Sequence, residues 1–160
     1  MPNDNPIKKP ITVLVSACLL GIPCRYDGES KPNSTVLARN NDFSYIPFCP
    51  ECYGGLATPR PPAEIQPDGS VKTVEGVDVT EAYARGAERA VALCRDFHVD
   101  YAILKSKSPA CGVASSYDGT FTRTLIPRPG VAARALLDAG VTVFSEENFD
   151  PALITDPHDH

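Results

Sequence analysis

Apolar residues recur along the chain in short runs, and segments rich in polar residues, proline and glycine separate these runs. The runs with the β-branched and aromatic character of buried strands are residues 11–18, 44–49, 101–105 and 141–145. The segments with helical spacing or helix-end signals are residues 34–41, 79–98 and 129–140. This alternation predicts an α/β fold with a mostly parallel, Rossmann-like sheet of about four to five strands flanked by helices.

The longest predicted helix, residues 79–98, has the clearest periodicity. At spacings of three and four residues, one apolar face carries Tyr83, Ala87, Ala90, Cys94 and Phe97. Because a free cysteine on such a face behaves as a small apolar side chain, we expect Cys94 to pack in the core.

The other segments lack a strong period. Residues 50–70 are rich in proline and glycine and predict a long loop of the kind that carries function, while residues 71–79 predict a small hairpin or an extended arm. We expect a single domain over residues 11–149, a flexible segment over residues 1–10 and a loosely ordered tail over residues 150–160.

Composition and charge limit the classes of partner. The chain has 160 residues, of which 42% are hydrophobic and 22% charged, as in ordinary globular proteins. A net charge of −5 without a Lys/Arg run argues against an extended nucleic acid as partner. No stretch approaches the ~20 apolar residues of a membrane span, and the first ten residues lack the apolar region of a secretory signal. We therefore expect a cytoplasmic protein, monomeric or a small homo-oligomer, whose thiols stay reduced.

Three of the six cysteines lie at the ends of predicted strands. Cys18 ends the first strand, Cys49 ends the second, and Cys111 lies six residues beyond the third. Ligands of open α/β sheets bind outside the carboxyl ends of the strands, so these three thiols should meet at one edge of the sheet. Soft thiolate ligands in such a group predict a metal site.

Cys49 and Cys52 also form a Cys-x-x-Cys pair with a glutamate inside it. A structural zinc site usually has two such pairs, whereas this sequence has one. A thioredoxin-like dithiol begins a helix, and the glycines at 54 and 55 oppose one here. The sequence leaves open a zinc- or cluster-binding module without turnover, a Cys49/Cys52 redox protein, and a role for Cys24 or Cys52 as fourth ligand, bystander or disulfide partner.

Four motifs in order resemble those of one family. They are SACLLGIPCRYDG (16–28), CPECYGGLATPRPPAEI (49–65), DVTEAYARGA (78–87) and LKSKSPACG (104–112). The family is that of the thiouracil desulfurases, or desulfidases, catalogued as domain of unknown function 523. The resemblance runs from about residue 11 to residue 149.

The resemblance implies an oxygen-sensitive [4Fe–4S] cluster held by Cys18, Cys49 and Cys111, with a fourth iron that lacks a protein ligand. An iron-sulfur-dependent enzyme of this kind replaces the sulfur of a thiolated pyrimidine by oxygen and releases hydrosulfide, without net electron transfer. Within the family motifs, the catalytic glutamate and serine correspond to Glu51 and Ser108, which suit proton transfer next to the cluster.

The substrate implied is a small thiopyrimidine, of the thiouracil or thiouridine monophosphate type. Side chains in or near the motifs that are suited to contact its phosphate or ring are Arg25, Asp27, Arg60, Lys105 and Lys107.

Overall fold

The computed structural model describes residues 10–155. Its strands are β1 (Ile11–Ser16), β2 (Phe43–Phe48), β3 (Ala63–Ile65), β4 (Val71–Thr73), β5 (Tyr101–Leu104), β6 (Ser116–Tyr117), β7 (Leu125–Ile126) and β8 (Thr142–Ser145). Its α-helices are α1 (Ser34–Leu37), α2 (Pro50–Tyr53), α3 (Thr80–Asp96) and α4 (Val131–Asp138). Two 3-10 helices cover Ala17–Leu20 and Pro151–Leu153.

The main sheet has the strand order β2-β1-β5-β8, and each neighbouring pair is parallel. In register, Val13 of β1 lies between Tyr45 of β2 and Tyr101 of β5. Val13, Leu14 and Val15 are fully buried because both faces of the sheet are covered. The predicted α/β fold with a parallel sheet flanked by helices is therefore confirmed.

Two apolar layers cover the sheet. On one face, Tyr83 of α3 and Leu136 of α4 pack with Leu14 in one core cluster. On the other face, Val13 packs with Val36 of α1 in a second cluster. The alternation of side chains along β1 sends neighbouring residues to opposite faces, so one strand anchors both cores.

The chain between α2 and α3 is more ordered than the predicted loop. Strand β3 lies inside that loop and pairs antiparallel with β4 to form a hairpin over residues 63–73. The predicted hairpin over residues 71–79 is also present, because Lys72 forms an antiparallel bridge with Asp78 and the Val79 amide donates to the Val71 carbonyl at 2.9 Å. Gly69, with φ of +87°, reverses the chain, and the Asp68 carboxylate accepts the Ser70 amide at 3.0 Å. The expectation of an irregular segment was wrong here because the two strands form by pairing with each other, which a short run does not show.

Helices α2 and α3 pack unusually closely through two glycines. A β-carbon on Gly54 would collide with the carbonyl of Ala82, and one on Gly86 would collide with the carbonyl of Pro50. Despite the glycines that follow it, the single turn Pro50–Tyr53 is therefore helical and docked on α3. This docking fixes the position of Glu51 in the first turn of α2.

The apolar face of α3 is buried at Tyr83, Ala87 and Cys94 as predicted, but Phe97 is 62% exposed. The helix ends at Asp96, and His98 has a φ of +53°, which turns the chain away from the helical path. Val99, buried at 4% exposure, packs in the core beyond this turn.

The segment from Asp150 was expected to be loosely ordered, and this does not hold for residues 150–155. The Asp150 carboxylate caps a 3-10 helix by accepting the Ala152 amide at 3.0 Å, and Ile154 is buried in the second core cluster. Residues 1–9 of the segment expected to be flexible, and residues 156–160 of the tail, lie outside the described residues. Within residues 10–155, every helix is too short or too polar to cross a bilayer.

Candidate metal centre

Three cysteines meet at the carboxyl edge of the main sheet. Cys18 lies in the 3-10 helix after β1, Cys49 is the N-cap of α2 directly after β2, and Cys111 lies in the loop after β5. Strands β2, β1 and β5 are neighbours in the sheet. All three cysteines line one cleft of about 630 Å³. The structure thus brings together the three thiols that the strand-end argument had grouped.

Ser108 shapes the turn that carries Cys111. Its Oγ accepts the backbone amides of Ala110 and Cys111, each at 3.1 Å, and its carbonyl accepts the Gly112 amide at 2.8 Å. Because the hydroxyl oxygen takes both amide protons, its own proton is directed to another acceptor. Ser108 therefore holds a predicted ligand in place and also lines the cleft.

Ser16 supports the same cysteine from the sheet. It is buried at the end of β1, and its Oγ accepts the Lys105 amide at 2.9 Å at the end of β5. Burial raises the pKa of Cys111 to about 12, while hydrogen bonds from Ser16 and Ser108 act to lower it. The contribution of Ser16 could not be predicted from the sequence, because its hydrogen bond joins it to a residue 89 positions away.

Cys24 is not one of the three predicted ligands, but it lines the same cleft. The Cys49 thiol donates to the Cys24 carbonyl at 3.7 Å. A hydrogen bond with Cys18 is the main cause that raises the pKa of Cys24 to about 11, and the hydrogen bond with Cys24 raises the pKa of Cys49 well above its usual range. These thiols favour the protonated form until a metal ion displaces the proton.

The two remaining cysteines do not line the cleft. Cys52 lies behind it, with its thiol 3.5 Å from Thr58 Oγ1 and 4.0 Å from the Cys24 carbonyl. Cys94 is buried in the core cluster under α3, which confirms its predicted packing role.

Glu51 projects from α2 into the wall of the cleft. Its Oε2 accepts a hydrogen bond from Nε of Arg60 at 2.8 Å and lies 2.8 Å from Nη2, and the two side chains are only 13% and 7% exposed. The buried Tyr83 of α3 lines the same cleft, and its pKa is raised first by burial and second by the charge of Glu51. The ion pair therefore holds the Glu51 carboxylate in place at the wall of the cleft.

The remaining predicted substrate contacts divide into two groups. Arg25, Lys105 and Lys107 line the cleft, although Lys105 lies 3.9 Å from Glu146 and Arg25 lies 3.6 Å from Asp27. Asp27 itself does not line the cleft. Its Oδ1 instead accepts the Glu29 amide at 3.0 Å and closes the turn, so the structure gives no support to a substrate contact there.

A second set of lining residues was missed in the sequence. It comprises Lys31, Glu64, Tyr117, Phe121 and Arg123. Lys107, Phe121 and Arg123 have φ values of +67°, +58° and +60°, in the left-handed region that non-glycine residues seldom adopt. Such strain concentrates at functional sites.

The hairpin of β6 and β7, which carries Phe121 and Arg123, is held by the buried carboxylate of Glu64. Glu64 Oε1 accepts the amides of Gly119 at 2.9 Å and Phe121 at 3.1 Å. This contact bridges more than fifty residues of sequence, so no local pattern could reveal it.

The cysteines of the cleft do not form a site for a single metal ion. Among residues 10–155, no three His, Cys, Asp or Glu side chains lie close enough together to hold a single metal ion. A polynuclear cluster, in which each thiolate binds a different iron, uses ligands that are separated in this way.

Comparisons with known proteins agree with this geometry. Residues 13–148 match the profile of the 2-thiouracil desulfurase family. The chain is 37% identical over 150 residues to the uncharacterized protein YbbK of Bacillus subtilis (strain 168), covering 88% of this chain and 99% of that protein. It is 42% identical to a solved structure, the [4Fe–4S]-dependent thiouracil desulfidase TudS (DUF523Vcz), with a TM-score of 0.82, covering 87% of this chain and 93% of the other.

Proposed function

The chain belongs to the 2-thiouracil desulfurase family, and from this premise we propose that it is an iron-sulfur enzyme that removes sulfur from a thiolated pyrimidine. Water supplies the oxygen that replaces the sulfur, and the products are the oxo-pyrimidine and hydrosulfide. The observation that carries the proposal is the presence of Cys18, Cys49 and Cys111, from three adjacent strand ends, in one cleft with Glu51.

The donor set of this cleft fits a [4Fe–4S] cluster. Cys18, Cys49 and Cys111 would hold it, since thiolates are the usual ligands of iron–sulfur clusters and all three side chains line the cleft. When bound by three thiolates, the cluster supplies an iron without a protein ligand that can bind a thiocarbonyl sulfur as a Lewis acid.

Glu51 is the group that we propose accepts the proton of the attacking water. Its Oε2 is fixed by Arg60, while Oε1 lies outside that ion pair. A carboxylate held in this way is ready to take a proton and later return it to the departing sulfur.

Ser108 has a supporting role in the proposal. Its oxygen already accepts two backbone amides, so its hydroxyl can donate to the Cys111 sulfur or to the ring of the substrate. We assign it to orientation rather than to proton abstraction.

The charge of the cleft favours a substrate that carries a phosphate. Although the whole chain has a net charge of −5, the cleft is lined by six cations and two carboxylates. The cations are Arg25, Lys31, Arg60, Lys105, Lys107 and Arg123, and the carboxylates are Glu51 and Glu64. A free thiouracil base needs no such excess, whereas a thiouridine monophosphate does. We propose Lys107 and Arg123 as the phosphate contacts. Both are exposed, line the cleft and have a backbone φ in the left-handed region.

The experiment is anaerobic reconstitution followed by turnover. The reconstituted protein should contain about 4 iron and 4 acid-labile sulfide per chain. It should release hydrosulfide from 2- or 4-thiouracil or from the corresponding nucleoside monophosphates, with a higher kcat/KM for the monophosphates. A protein that binds the cluster in full but releases no hydrosulfide from any of these compounds would be a binding module, and the proposed function would be wrong.

A further inference from the structure

Arg60 directs all three of its side-chain nitrogens to acceptors within the protein. An arginine side chain has five N–H donors. Nε donates to Glu51 Oε2 at 2.8 Å, Nη2 donates to the Cys24 carbonyl at 3.0 Å, and Nη1 donates to the Ala57 carbonyl at 3.2 Å and to Thr58 Oγ1 at 3.1 Å. Nη2 also lies 2.8 Å from Glu51 Oε2 in the ion pair. Each of the three nitrogens therefore already has an acceptor within the protein.

The charge of Arg60 is also matched. Its side chain is 7% exposed, and the carboxylate of Glu51 neutralises it at ion-pair distance. A substrate phosphate that approached Arg60 would have to break a largely buried pair, which leaves an uncompensated charge. The surroundings of Arg60 therefore do not support the predicted contact between this residue and the substrate.

We infer that Arg60 is a positioning residue, which orients the Glu51 carboxylate and fixes the Cys24 carbonyl beside Cys49, and that it does not bind substrate. This inference rests on the proposed function of Glu51. The contacts of Arg60 join three separate segments: α2, the loop after it, and the loop after the first 3-10 helix. The Cys24 carbonyl that Arg60 holds also accepts the Cys49 thiol.

Only arginine can make this set of contacts. The planar fork reaches four acceptors in fixed directions, whereas a lysine ammonium has three donors on a flexible stem. Loss of the fork would free the Glu51 carboxylate to rotate, and a displacement of about 1 Å can cost about 10²-fold in rate.

The first arm of the test separates positioning from substrate binding. Arg60→Gln and Arg60→Lys should lower kcat by about 10²-fold while KM for a thiouridine monophosphate stays within about twofold. Lys107→Gln should instead raise KM, and Arg134→Gln, an exposed pair partner of Asp138 on α4, should change neither constant. A higher KM with an unchanged kcat in Arg60→Gln would identify a substrate contact and overturn the inference.

The second arm asks whether Arg60 acts through Glu51. Arg60→Gln should have little further effect on kcat in a Glu51→Gln background, because the group that it orients is already lost. If the two losses multiply instead, Arg60 acts independently of Glu51 and the inference is wrong.

The third arm does not depend on turnover. In metal-free protein, a cycle of thermal midpoints for Arg60→Gln, Glu51→Gln and the double variant should show coupling of the pair. Calorimetric affinity for uridine 5′-monophosphate should be unchanged in Arg60→Gln and weaker in Lys107→Gln. A wild-type protein without turnover would refute the proposed function, while weaker nucleotide binding by Arg60→Gln or absence of coupling would refute the assignment of Arg60.

Discussion

Gly86 of α3 lies so close to the carbonyl of Pro50 in α2 that a β-carbon at position 86 would overlap it. Pro50 directly follows Cys49 and precedes Glu51, so this contact fixes the height of two site residues above the sheet. Because the collision would be with backbone, no rotation of a side chain relieves it. The contact therefore couples the packing of a long helix to the geometry of the proposed centre.

We predict that Gly86→Ala lowers the free energy of unfolding by about 1–3 kcal/mol, the usual effect of overpacking, and reduces iron retention. Alanine favours the helical state itself, so any destabilisation comes from the displaced α2. The check is chemical denaturation together with iron content after anaerobic reconstitution. Glu88→Ala, on the exposed side of α3, serves as control and should stay within about 0.5 kcal/mol of wild type. A Gly86→Ala protein with full stability and full iron would show that α2 does not depend on this contact.

The strand-end cysteines give the second prediction. Cys18→Ser, Cys49→Ser and Cys111→Ser should each lose the cluster, because a hydroxyl replaces one of only three thiolates. Iron and acid-labile sulfide per chain, measured without oxygen, provide the check.

Cys94→Ser is the matched control for these variants. It lies in the core under α3, so it should retain iron and lose only about 1–3 kcal/mol of stability if its hydroxyl is left unpaired. A folded Cys94→Ser protein without iron would contradict the assignment of the ligands.

Some of this arrangement could be predicted and some could not, for physical reasons. The buried run of β1 and the apolar face of α3 are local patterns, and their alternation predicted a mostly parallel sheet flanked by helices. The grouping of Cys18, Cys49 and Cys111 needed only the rule that ligands bind at carboxyl ends of strands.

The misses have a common cause. The role of Arg60 depends on acceptors in three segments, and the β6–β7 hairpin depends on the carboxylate of Glu64. Phe97 left the predicted helical face because the chain turns at His98. Each outcome is decided by tertiary partners that sequence spacing does not specify.

Cys52 separates the cluster enzyme from a redox protein. Its thiol lies outside the cleft, against Thr58 and the Cys24 carbonyl. We predict that Cys52→Ser retains both iron content and hydrosulfide release, with only a modest change in rate. A dithiol mechanism requires both sulfurs of the Cys49/Cys52 pair, so complete loss of activity in Cys52→Ser with normal folding would favour that mechanism instead.

The cationic rim gives a prediction about substrate choice. Lys107→Gln and Arg123→Gln remove positive charge at two strained positions of the cleft. Each should raise KM for a thiouridine monophosphate and leave kcat/KM for free thiouracil nearly unchanged, because the base carries no phosphate. Higher ionic strength should reduce the preference for the monophosphate in wild type, since the contacts are exposed. Equal losses with both substrates would show that the rim acts on the fold rather than on the phosphate.

Glu51→Gln tests the chemical step itself. The amide keeps the size of the side chain next to Cys49 but cannot accept a proton, so iron content should remain full while turnover falls about 10²–10⁴-fold. Ser108→Ala should lower turnover less, because its hydroxyl orients groups and is not the proton acceptor; its loss also frees the Ala110 and Cys111 amides. Each variant is reconstituted anaerobically, its iron is measured, and initial rates of hydrosulfide release are compared.

If Glu51→Gln turned over at the wild-type rate, the carboxylate would serve only to hold Arg60. Glu64, the other carboxylate lining the cleft, would then be the next candidate for the proton acceptor. Glu64 already accepts two backbone amides in the hairpin, so Glu64→Gln would also disturb Phe121, whereas Glu51→Gln leaves that wall of the cleft intact. A selective loss of turnover in Glu51→Gln alone therefore assigns proton transfer to the residue between the two cysteines of the Cys-x-x-Cys pair.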